Sequence, residues 1–105
     1  MPKEISNKQK KILIEKLTKN LPVLRAKLGI NQTELAEKIG IARQTLTTIE
    51  SGKREMTWVT FVALTLLFMQ NEETKQLLTV VGAYTDDLKG FFSFDNLETE
   101  KEAKQ

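Results

Sequence analysis

From Gln32 to Glu50, two short apolar stripes of helical period flank one tight turn. No other stretch of the chain limits the fold as strongly. Leu35, Ala36 and Ile39 fall on one face of a helix, and Leu46 and Ile49 fall on one face of the next. Ala36 is small where two helices must cross closely, and a larger side chain would push them apart. Gly40 takes the turn, where a positive φ is easy only for glycine. With Ile41, seven positions stand in register for helix, tight turn and helix at a steep angle.

Helix signals dominate the rest of the chain, and strand-type alternation is scarce. Ser6 with Gln9 makes a capping-box pattern, and Ile12, Leu13 and Leu17 follow, so a first helix is expected over about residues 7–19. The Asn20-Leu21-Pro22 step predicts a break, because the residue before proline avoids the α region. Pro22 then suits the first turn of a second helix carrying Leu24 and Leu28 and ending at Gly29. Asn31 with Glu34 caps the next, and Thr57 caps a long apolar helix through Phe61, Leu64 and Phe68. Asn71 and Thr85 open two more, each with carboxylates favourably near the N-terminus. Beyond Asp95 the chain is polar and a frayed tail is expected. The fold class is all-α.

At 105 residues the chain is expected to form one domain, and 40% hydrophobic residues supply a small core. It has no cysteine and no histidine, which removes disulfides, thiol chemistry, histidine-based triads and the commonest metal ligands. No phosphate-cradling glycine loop and no convincing acid pair is present, so neither a catalytic residue, a metal nor a cofactor is expected. The longest apolar run, Trp58 to Met69, has 12 residues, where a spanning helix needs about 20. With no export signal in view, a cytoplasmic, nucleoid-associated location without membrane contact is expected. The net charge of +2 hides an asymmetry, since residues 1–54 carry +7 and residues 55–105 carry −5. A basic half points to a polyanionic partner.

The register around Ala36 and Gly40 is the helix-turn-helix signature, whose second helix enters the DNA major groove. The run from Leu24 through Gly40, and its continuation Ile49-Glu50-Ser51-Gly52-Lys53, resembles the phage-repressor and Cro-like (XRE) helix-turn-helix domains. The likeness spans about Leu21 to Met69, roughly half the chain. It implies a lambda-repressor-like five-helix DNA-binding domain, here with an extra N-terminal helix and a C-terminal helical extension. Family members mostly act as dimeric transcriptional repressors.

The resemblance also implies roles for particular residues. Arg43, Gln44 and Thr48 match base-reading positions, and Asn31 matches a phosphate-contacting one. Gln32 matches a glutamine that contacts a phosphate and braces a recognition glutamine. Thr47 shares the exposed surface and is expected at the backbone, as are Lys53 and Arg54 in the following loop. Arg25 and Glu50 match a buried structural ion pair. The chemistry agrees: Arg can bond guanine O6 and N7, Gln can pair with adenine, and Thr offers a hydroxyl or a methyl. Two positions depart from the pattern. Ala42 stands where Ser or Thr usually caps the recognition helix, an omission that costs about 1 kcal/mol. The loop after Gly52 is shorter and lacks the basic residues that some relatives place in the minor groove.

The chain therefore divides into an N-terminal extension (1–20), the motif domain (21–69), a C-terminal helical extension (70–95) and a tail (96–105). Leu77, Leu78, Val81, Tyr84, Phe91, Phe92 and Phe94 either cover the chain's own core or form a two-fold dimer interface. The expected function is a homodimeric repressor reading a palindromic operator in double-stranded DNA. The alternative is an antitoxin-like protein whose acidic C-terminal half grips a partner protein while the motif autoregulates its operon.

Overall fold

A computed structural model describes residues 4–93, and over them six helices follow one another: α1 (Asn7–Leu28), α2 (Gln32–Ile39), α3 (Arg43–Glu50), α4 (Trp58–Phe68), α5 (Glu72–Val80) and α6 (Asp86–Phe92). The fold is all-α, with no strand among the described residues. None of the described helices is long and apolar enough to cross a membrane. Phe94 and the tail 96–105 lie outside the described residues.

Capping residues set most helix starts. Ser6 and Gln9 form a reciprocal capping box before α1, and Asn31 and Glu34 form another before α2. Thr57, Asn71 and Thr85 each accept a bond from the third residue of the helix that follows. Only α3 begins without a side-chain cap, because Ala42 has no oxygen to offer.

The expected break at Pro22 does not occur. One 22-residue helix runs through it, so the N-terminal extension is the first half of α1 and not a separate helix. Pro22 cannot donate to the Thr18 carbonyl, a defect of about 3 kcal/mol in a helix interior. Against it stands an unbroken stripe in which Leu17, Leu21 and Leu24 are fully buried, each contributing about 1.5–3 kcal/mol. The proline ring is exposed, away from that stripe. Nearby carbonyls are served by side chains, with Thr18 Oγ1 donating to Ile14 O and Asn20 Nδ2 to Lys16 O, both at 2.7 Å.

The long α1 packs on α3, α4 and α5, while α2 packs on α3 and α4. Phe61, Leu64 and Phe68 of α4 are fully buried and form the centre of the core. α5 is tied to the end of α4 by buried Thr74, whose hydroxyl donates to Phe68 O. Most of the C-terminal apolar residues serve this same core: Leu78 and Leu88 are fully buried, and Leu77, Val81, Tyr84 and Phe91 pack partly buried against it. Phe91 meets Trp58 edge-on at 6.1 Å, and Trp58 stacks on Phe61 at 4.9 Å. Among the described residues, large apolar groups left in solvent are few, with Val59, Leu66 and Val80 the most exposed at 77%, 66% and 81%.

Candidate nucleic-acid interface

The α2–α3 junction follows from its small residues. Ala36 is 1% exposed at the crossing, and Gly40 takes φ 81° in the turn. The N–H groups of Gly40 and Ile41 both donate to Ala36 O, at 2.9 and 3.0 Å, which closes the end of α2. Leu35, Leu46 and Ile49 are buried between the pair and the rest of the core. With Leu46 and Ile49 facing inward, the side chains of Arg43 and Gln44 stand in solvent at the start of α3. Neither side chain has a partner among the described residues. The uncapped first turn also leaves the Arg43 and Gln44 N–H groups without protein acceptors.

Asn31 and Gln32 lie beside this surface at the start of α2. Asn31 is exposed, and its Oδ1 accepts from Glu34 N at 2.8 Å, which leaves its amide N–H groups outward. Gln32 Oε1 accepts from Thr47 Oγ1 at 2.8 Å. That bond fixes the carbonyl end of Gln32 toward α3 and turns its two amide N–H donors away. Gln32 thus pairs with Thr47 of α3, and not with the recognition glutamine that the resemblance implies. Thr47 gives its one hydroxyl proton to Gln32, so in this geometry it has none for a phosphate.

Thr48 is half-buried, and its hydroxyl donates back to the carbonyls of Gln44 and Thr45. It can offer a methyl group or an acceptor to a base edge, and no hydroxyl proton. Lys53 and Arg54 are exposed in the loop between α3 and α4. Gly52 N–H and Lys53 N–H are spent on Ile49 O and Thr48 O, capping α3. Within this loop, backbone donors toward a phosphate therefore have to come from Arg54 onward.

A bidentate ion pair holds the recognition helix from behind. Arg25 Nε meets Glu50 Oε2 at 2.8 Å and Nη2 meets Oε1 at 2.9 Å. The side chains are 18% and 7% exposed, so the pair is largely shielded and joins α1 to the last residue of α3.

A family model described as helix-turn-helix matches residues 24–57. The chain carries a helix-turn-helix DNA-binding domain of the phage-repressor and Cro-like type. The matched span runs from the last turns of α1 through the loop that carries Lys53 and Arg54. It is a domain of DNA-binding transcriptional regulators and not of an enzyme family. No curated protein and no solved structure was found to match the chain.

The role of Thr47 as the brace of Gln32 escaped sequence reasoning. The two residues are 15 apart, so no helical spacing links them, and only the steep α2–α3 crossing brings them together.

Proposed function

We propose that the protein is a homodimeric transcriptional repressor that reads a palindromic operator with α3. The observation that carries the reading is the pairing of an exposed Arg43–Gln44 edge with a Gln32 amide held in place by Thr47. Arg43 and Gln44 are the base readers, and Thr48 adds a methyl contact. The Asn31 and Gln32 amides, Lys53 and Arg54 anchor phosphates on either side, and Thr47 sets the direction of Gln32. The free N–H groups at the bare start of α3 face the same polyanion. Two copies related by a two-fold axis would place their recognition helices about 34 Å apart, one turn of the duplex. Bound across a promoter, such a dimer blocks polymerase access.

Titration of variants on operator and random duplexes tests these assignments. Arg43→Ala is expected to weaken operator binding by about 10- to 100-fold, 1–3 kcal/mol, and random binding far less. Lys53→Ala should weaken both alike and lower the salt slope by about 1. Equal losses on both duplexes for Arg43→Ala would remove its base-reading role.

A further inference from the structure

We infer that the N-terminal half of α1 forms a second phosphate-binding surface through Lys11 and Lys19, extending the footprint on duplex DNA beyond the motif. The inference rests on the DNA-reading assignment above and adds residues that lie outside the matched span of 24–57.

Lys11, Thr18 and Lys19 of α1 line one surface groove together with Gly52 and Arg54 of the loop that follows the recognition helix. The groove therefore joins the unusual N-terminal extension to the loop expected at the phosphates. Its placement is fixed by the Arg25–Glu50 bridge: Arg25 lies 14 residues beyond Lys11, about four helical turns along the same face of α1. Clamping that face to the end of α3 holds the lysines beside the loop.

The charges are uncommitted. Lys11, Lys19 and Arg54 are exposed, and none forms an ion pair with another described residue. Glu15 and Glu55 line the same groove, so its three cations outnumber its carboxylates by one. Lys53, next to Arg54 in the chain, raises the excess. A groove with excess positive charge, continuous with the loop assigned to phosphates above, complements the regularly spaced phosphates of a duplex. Ile14 and Ile49 also line it, and both are buried core residues at 6% and 1% exposure.

The test is the salt dependence of binding to a random duplex and to the selected operator, measured for the full chain. The Lys11→Ala/Lys19→Ala double variant removes two exposed lysines and should fold normally, as melting would confirm. If both lysines meet phosphates, the slope of log K against log salt falls by about 1.8 on each duplex, with the operator-to-random ratio unchanged. Lys75→Ala/Lys89→Ala removes the same charge from α5 and α6 and should leave the slope alone. An unchanged slope for the α1 variant, or an equal fall for the control, overturns the inference. If the wild type shows no sequence preference, the operator reading fails while the slope on random DNA still decides this surface.

Discussion

Thr47 Oγ1 donates to Gln32 Oε1 at 2.8 Å, a side-chain bond between the recognition helix and the helix before it. It orders an amide that would otherwise rotate freely, and it decides which end of that amide faces a partner. Thr47→Val keeps the shape and removes the donor. Because the bond is only partly buried, the fold should lose no more than about 1 kcal/mol. DNA affinity should fall by about 5- to 10-fold on operator and random duplexes alike, the cost of one unanchored phosphate contact. Unchanged affinity on both duplexes would show that Gln32 needs no brace.

The Arg25–Glu50 bridge is expected to act on stability. Glu50→Ala leaves a largely shielded guanidinium without its partner and should cost about 2–3 kcal/mol in chemical denaturation. Arg25→Met combined with Glu50→Leu removes both charges and should recover much of that loss. A double variant as unstable as the singles added together would mean that the two residues do not act as a pair.

Much of this was legible in the sequence because local chemistry agreed with the fold. Ser6, Asn31, Thr57, Asn71 and Thr85 each cap the helix they were expected to open, and Ala36 and Gly40 sit at the crossing and the turn. Pro22 misled for a physical reason: its penalty is local, whereas the stripe of Leu17, Leu21 and Leu24 that overrides it is realised only when α1 meets the core. The hydroxyls of Thr47 and Thr48 could not be read either. Which acceptor a threonine finds depends on neighbours 15 residues away in one case and on its own helix in the other.

The uncapped start of α3 separates stability from binding. Ala42→Ser supplies the missing acceptor and should add about 1 kcal/mol, raising Tm by roughly 4–8 °C. Ala42→Asp should stabilise comparably, yet it places a carboxylate beside the surface assigned to DNA, so affinity should fall at least tenfold as Tm rises. An Asp variant that binds as tightly as wild type would place the start of α3 away from the phosphates.

Thr65 is 4% exposed within α4, and its hydroxyl is a buried polar atom without a hydrogen-bond partner. Thr65→Val replaces that hydroxyl with a methyl of similar size. Relief of the desolvation penalty is expected to raise stability by about 1 kcal/mol. Denaturant titration at constant m would register it as a higher midpoint. A lower midpoint would mean that the hydroxyl is satisfied in solution.

Selection of bound sequences from random duplex DNA, with titration of the winner against scrambled DNA, tests operator reading most directly. A palindromic winner, its half-sites about one helical turn apart and bound about 10³-fold or more tighter than scrambled DNA, is the result predicted for a dimer reading with Arg43 and Gln44. Salt-sensitive binding with no enriched sequence would contradict base reading by α3.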